Sequence, residues 1–189
     1  MTEQEVLKLF EKNSALLTGH FKLSSGLHSA KYLQCALVLQ YPEIAEKLAK
    51  ELASRFAGDK IDFVVGPALG GVTLAYEVAR AIGCRGLFTE RQEGAMVLRR
   101  GFSIASGERA LVVEDVVTTG GSTKEVIELV RAAGGIVAGV ASIIDRGDKL
   151  VEFGTRFECL AKVSVQTFGE GNCPMCSRGD AVTKPGSRK

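Results

Sequence analysis

Apolar positions in the first third of the chain recur at helical spacing. Val6, Leu7, Phe10 and Leu17 make one stripe, which predicts an amphipathic helix from Glu3 to Leu17. The polar stretch Thr18-Gly-His-Phe-Lys-Leu-Ser-Ser-Gly-Leu-His-Ser29 has no helical period and reads as turn-rich. Pro42 opens a second helix whose Ile44, Leu48, Leu52 and Phe56 recur every four residues, with Gly58 closing it. Beyond it the pattern changes to short apolar runs alternating with helices. Ile61 to Val65 is a β-branched strand, followed by the loop Gly66-Pro-Ala-Leu-Gly-Gly71 and a helix carrying Ala75, Val78, Ala79 and Ile82, stopped by Gly83. Gly86 to Thr89 is strand-like, and Ala95 to Ile104 reads as a hairpin or a mobile loop. The strand Ala110 to Val113 runs into Glu114 and Asp115. The loop Thr118-Thr-Gly-Gly-Ser122 then leads to a helix bearing Val126, Ile127, Val130 and Ala133, which Gly134-Gly135 ends before the buried strand Ile136 to Ile144.

Strand, helix and strand in alternation imply parallel pairing through right-handed crossovers. The expected fold class is α/β: a central, mostly parallel sheet flanked by helices, with the N-terminal elements and the tail after Cys159 as an appendage. Composition agrees with a globular chain, since 189 residues with 46% apolar and 24% charged can build one real core. A formal charge of +2 is too near balance for a nucleic-acid coat protein. Ile136 to Ile144 is only half a membrane span, and the polar, acidic Thr2 to Glu5 does not resemble a signal peptide. The expectation is a cytoplasmic protein that binds neither nucleic acid nor membrane.

Five scattered cysteines without a secretion signal point to reduced thiols. Cys35, Cys84 and Cys159 stand among apolar neighbours as small buried hydrophobes. Cys173-Pro-Met-Cys176 has the spacing of half a zinc site, but a structural site needs four ligands. No second CxxC or HxxxH exists, and His20 and His28 are distant in sequence and read as turn residues. No bound metal is therefore expected at the pair, and replacing both cysteines by serine should leave the fold intact.

Ligands of open parallel sheets bind at the carboxyl ends of strands. Two glycine loops fall at such ends, after Val65 and after Val113. Thr118, Thr119, Gly120, Gly121 and Ser122 put backbone N–H groups, three hydroxyls and a helix N-terminus into one concavity, which suits a phosphate monoester. Neither a Walker A loop nor a GxGxxG pattern is present. Glu114 and Asp115, just before this loop, would repel a polyphosphate unless it comes with Mg²⁺ or the acids face something else. A sugar 5′-phosphate with two free hydroxyls meets that condition: the acids accept from the hydroxyls, and their charge favours an oxocarbenium ion at the anomeric carbon.

Val112-Val-Glu-Asp-Val-Val-Thr-Thr-Gly-Gly-Ser-Thr123 resembles the phosphoribosyl pyrophosphate (PRPP) signature of the type I phosphoribosyltransferases. Together with Phe21-Lys-Leu-Ser-Ser-Gly26 and Gly66 to Gly71 it resembles the orotate-using members, and the likeness covers nearly the whole chain. The resemblance implies a single domain with a core of about residues 41–159, under a hood from about 1–40 and 160–189. It also implies a Mg²⁺-dependent transfer from PRPP to orotate in a homodimer. Carried over, Glu114 and Asp115 would hold the ribose hydroxyls, Val116, Val117 and Thr118 to Ser122 the rest of PRPP with its 5′-phosphate, and Ala68, Gly70 and Gly71 the pyrophosphate. Thr118 and Arg146 would meet orotate, where a planar guanidinium suits a carboxylate.

The family carries a catalytic loop between Arg91 and Gly107, often acting from the neighbouring subunit. In this chain that stretch has no lysine or histidine, only Arg91, Arg99 and Arg100, with Arg109 just beyond. Arginines cannot be general acids at neutral pH, so charge neutralisation with Mg²⁺, with Arg91 foremost, is the expected way to release pyrophosphate. Ser24 stands where long-loop relatives have a lysine, leaving Lys22 or Lys31 as substitutes. Aromatic stacking on the base looks thin, because Tyr32 is followed by Leu33. Two alternatives remain at this point: a purine phosphoribosyltransferase, disfavoured by Arg146, and a PRPP-sensing regulator, disfavoured by the lack of a basic face or helix-turn-helix segment. The basic tail Arg178 to Lys189 reads as a solvated end.

Overall fold

The computed structural model describes residues 1–23, 26–147 and 151–184. Helix α1 (Glu3–Lys12) starts with a capping box, in which the Thr2 amide donates to the Glu5 carboxylate at 2.8 Å and the Glu5 amide returns to the Thr2 hydroxyl. The helix stops five residues short of the expected Leu17. Asn13 caps it, Ser14 takes a left-handed φ of 53°, and Leu16 and Leu17 pass into strand β1 (Leu16–Lys22). The supposedly turn-rich stretch is in fact a hairpin, in which β1 pairs antiparallel with β2 (His28–Leu33). His20 and His28 are buried strand residues, not turn residues. Ser24, the position compared with the relatives' lysine, lies outside the described residues.

Helices α2 (Ala36–Leu39) and α3 (Pro42–Ser54) follow, the latter opened by proline as expected. The crossovers then run through β3 (Phe63–Pro67), α4 (Gly70–Ile82), β4 (Arg85–Gln92), β5 (Ala95–Leu98), β6 (Arg109–Val117), α5 (Gly121–Ala132), β7 (Ile136–Asp145) and β8 (Phe157–Lys162). They give a six-stranded sheet of order β5-β4-β3-β6-β7-β8, parallel except for the β4–β5 hairpin. Alternate strand residues serve two cores. Val64, Leu111, Val113, Ala141 and Ile143 pack under α1, α3 and α4, while Phe63, Val65, Ala110, Val112 and Val140 pack under α5. Covered on both faces, the central strands are buried along most of their length, which is why they read as unbroken apolar runs.

The last elements return to the hairpin. Strand β9 (Thr167–Phe168) pairs with β2 to make a separate three-stranded sheet, and the short helix α6 (Pro174–Ser177) follows a 3₁₀ turn at Glu170–Asn172. Thr183 then bridges Phe21: the Lys22 amide donates to the Thr183 carbonyl at 2.9 Å, and the Thr183 amide to the His20 carbonyl at 2.8 Å. Among the described residues no helix is long and apolar enough to cross a membrane.

Candidate functional site

Three loops meet at the carboxyl ends of β3, β6 and β7. Backbone crowding dictates the glycines there. A Cβ on Gly66 would lie 2.7 Å from the Gly71 carbonyl oxygen and 2.9 Å from that of Val113. A Cβ on Gly70 would lie 2.5 Å from the Asp115 carboxylate, so the loop of Ala68, Gly70 and Gly71 passes directly over that acid. The Ala68–Leu69 peptide in this loop is cis. On the other side Gly120 takes a φ of 73°, and a Cβ there would meet Val151 at 2.6 Å and Phe153 at 2.8 Å. Gly120 is the N-cap of α5 and provides no side-chain cap, so the first-turn amides of that helix remain for an anion beside Thr118, Thr119 and Ser122.

Successive residues of β6 point to opposite faces of the sheet. Asp115 therefore lines one cavity, of about 750 Å³, together with Ala68 and Gly70. Glu114 lines a second, of about 1010 Å³, with Thr119 to Ser122. Val116, Thr118, Arg146 and Leu23 border both, so the two are halves of one cleft. Burial pushes the Glu114 carboxyl up to about 8, with the Asp115 charge adding to the rise and the Thr123 hydroxyl, donating at 3.2 Å, opposing it. Burial also raises Asp115, against the Val116 amide that donates to it at 2.9 Å. Val117 is buried and joins the site by its backbone, its carbonyl accepting from the Arg146 amide at 2.8 Å. The Arg146 guanidinium donates to the Thr118 hydroxyl at 3.2 Å, at the junction of the two halves.

The arginines of the expected catalytic loop separate. Arg91 lies beside the cleft without lining either half; it donates to the Gly94 carbonyl and to Glu125 at 2.8 Å, and Glu125 does line the cleft. Arg100 is paired with Glu90 at 2.7 Å. Arg109 is removed from the site: it begins β6, about 26 Å of strand from Val117, and its side chain donates to the Lys60 carbonyl. Of the two substitute lysines, Lys22 lines the cleft, whereas Lys31 borders a different hollow beside α6. Tyr32 also lines the cleft, its ring 5.7 Å from that of Phe21.

Lys184 is a cleft residue the sequence pattern did not single out. It reaches the site because the Thr183 bridge draws the terminal segment against β1; residues 178–184 are solvent-exposed as expected, and Lys184 borders the cleft from there, while 185–189 lie outside the described residues. The four residues His20, His28, Cys173 and Cys176 also come together, their ligand atoms all within 4.8 Å of one another. The expectation that the cysteine pair lacks partners is thereby corrected. The hairpin and α6 close the gap that sequence separation suggested.

Residues 38–169 match the model of the phosphoribosyl transferase domain. The chain is 56% identical, over the full length of both, to an orotate phosphoribosyltransferase of Pelotomaculum thermopropionicum. It is also 56% identical, again over the full length of both, to an orotate phosphoribosyltransferase of Caldanaerobacter subterraneus subsp. tengcongensis. The crystal structure of orotate phosphoribosyltransferase from Aeropyrum pernix superposes with a TM-score of 0.70 at 25% identity, covering 84% of this chain and 93% of that one.

Proposed function

The chain belongs to the phosphoribosyltransferase family, in its orotate-using branch, and from that premise we propose how its cleft divides the work among its residues. The reaction transfers the 5-phosphoribosyl group of PRPP to orotate, giving orotidine 5′-monophosphate, the precursor of UMP, and pyrophosphate. The observation that carries the assignment is the placement of two half-buried acids back to back on β6, each facing its own glycine loop. Thr118 to Ser122 and the α5 amides hold the 5′-phosphate. Glu114 and Asp115 accept from the ribose hydroxyls, and Ala68, Gly70 and Gly71 present the other loop to pyrophosphate. Arg146, at the junction, takes the orotate carboxylate in a bidentate pair, with Thr118 beside it.

Rate enhancement here is orientation and charge stabilisation. The orotate nitrogen and the departing pyrophosphate lie on opposite sides of the anomeric carbon, whose developing positive charge the two carboxylates favour. Mg²⁺ suits the donor set, because burial raises both carboxyls, with the Asp115 charge adding to the rise of Glu114, and these acids with the pyrophosphate oxygens would be hard ligands for it. When bound, such an ion would supply charge neutralisation for the departing pyrophosphate. Lys22 and Lys184 add fixed positive charge to the Asp115 half of the cleft, and Arg91, paired with Glu125 beside the Glu114 half, is the loop cation that would join them once released. The enzyme is a homodimer in the cytoplasm, as the resemblance to the family implies.

The test of the base assignment is Arg146→Ala assayed with orotate and with uracil, which lacks the carboxylate. Loss of about 10²-fold in kcat/KM for orotate is expected, with the much slower reaction of uracil unchanged. An equal loss for both bases would assign Arg146 to PRPP instead.

A further inference from the structure

We propose that His20, His28, Cys173 and Cys176 form a structural zinc site that clips the C-terminal segment to the β1–β2 hairpin. The ligands come from β1, β2 and α6. The hairpin supplies both histidines on adjacent strands, and α6 supplies Cys-Pro-Met-Cys, with Cys173 as its N-cap and Cys176 one turn later. Cys173 is 1% exposed, His28 2% and His20 5%, so the site is closed to solvent on most sides.

Hydrogen bonding alone does not satisfy this cluster. The Nδ1 of His20 faces the Asp180 carbonyl oxygen at 2.9 Å and must donate to it, which leaves Nε2 as a bare lone pair. Three groups converge on that lone pair: His28 Nδ1 at 2.7 Å, Cys173 Sγ at 3.5 Å and Cys176 Sγ at 3.7 Å. One lone pair accepts one proton well, so the remaining donors compete for it. His28 faces the cluster through Nδ1, and its buried Nε2 has no partner among the described residues. One cation at the common centre meets all four ligand atoms at once and fixes both tautomers. The carbonyl bond from His20 then becomes the outer support that metal-bound histidines ordinarily have.

Distances support a four-coordinate ion. Bonds of about 2.3 Å to sulfur and 2.0–2.1 Å to nitrogen put the ligand atoms of a tetrahedral ion about 3.3–3.8 Å apart. The two sulfur-to-His20 separations fall in that range, and Cys176 Sγ to His28 Nδ1 is 3.2 Å. To admit the ion the facing nitrogens would open by about half an ångström, and the widest separation in the set, 4.8 Å, would close by about one. Two thiolates with two imidazoles in such a set select zinc. Binding displaces the two thiol protons to solvent, and the ion's charge balances the two thiolates.

The local fold gives the ion a purpose. The sheet of β1, β2 and β9 has three strands, one only two residues long, and β9 pairs with β2 at only two positions, His28 with Phe168 and Ser29 with Thr167. A metal joining α6 to both long strands adds a cross-link where the strand pairing is shortest. It also steadies the Thr183 bridge, behind which Lys22 and Lys184 reach the cleft.

The test reads metal, not activity, and so stands apart from the active-site assignment. Protein grown with zinc and purified without chelator should carry about one zinc per chain by elemental analysis. The Cys173→Ser, Cys176→Ser double variant should fall below about a tenth of an ion, whereas Cys84→Ser keeps it. Should the double variant not fold, metal-stripped wild-type protein titrated with cobalt(II) decides. It should give the thiolate charge-transfer and intense visible bands of a four-coordinate site with an endpoint of one per chain, reversed by zinc. Zinc-free wild-type protein without a four-coordinate cobalt spectrum would overturn the proposal. So would iron in place of zinc, a Cys173–Cys176 disulfide in fresh protein, or undiminished zinc in the double variant.

Discussion

Removing the charge of Glu114 should stabilise the empty protein while destroying its activity. Burial beside Asp115 holds the Glu114 carboxyl at about 8 against an ordinary 4.5. Between those values the native chain keeps a proton that the unfolded chain has lost, so stability falls as pH rises through that window. At 1.36 kcal/mol per tenfold change in proton affinity, the full effect is about 5 kcal/mol, an upper bound because water and Thr123 soften it. Glu114→Gln keeps the shape and a polar contact to Thr123 but has nothing to titrate. Urea unfolding of both proteins without ligand, at pH 5.5, 7 and 9, should show the variant gaining on the wild type by about 2–4 kcal/mol across the series. Its phosphoribosyl transfer should fall by about 10²-fold or more at every pH, because an amide no longer accepts from a hydroxyl as a carboxylate does. Parallel pH profiles for the two proteins would refute the claim that Glu114 is a carboxyl under strain awaiting its ligand.

Gly70→Ala puts a methyl group against the Asp115 carboxylate, which must move, and at least a tenfold fall in kcat/KM is expected from steady-state kinetics. Arg91→Ala frees Glu125 and removes the foremost loop cation; kcat should drop by about tenfold or more, and near-normal turnover would remove Arg91 from the reaction. Lys184→Ala should raise the KM for PRPP several-fold at low salt, with the difference from wild type shrinking as salt is added.

The middle of the molecule was legible because its physics is local and periodic. Ile44, Leu48 and Leu52 recur on one face of α3, and Gly83, at a φ of 84°, ends α4 where a side chain would be strained. The doubly covered strands leave apolar runs, and close backbone approach leaves the glycine loops of both halves of the cleft. The hairpin was hidden for a definable reason. A register shift between Thr18 and Phe21 buries His20 and Phe21 consecutively, which destroys the alternation that marks a strand. The His and Cys cluster followed it into obscurity, since its four ligands come from strands and a helix about 150 residues apart. Lys184 depends on a single bridge to Phe21, and Thr123 stood in the quoted motif without its bond to Glu114 being apparent. Long-range contacts of this kind carry no periodic signal.

The central claim is that this cleft joins orotate, and not another base, to the phosphoribosyl group. Its most direct test follows the purified protein with PRPP and Mg²⁺ in the spectrophotometer, with orotate, uracil, adenine, hypoxanthine and xanthine in separate reactions. Orotate alone should be consumed at an appreciable rate, with orotidine 5′-monophosphate and pyrophosphate formed one for one and the reaction abolished by chelator. Turnover of a purine in place of orotate, or PRPP binding with turnover of none of the five, would contradict the account.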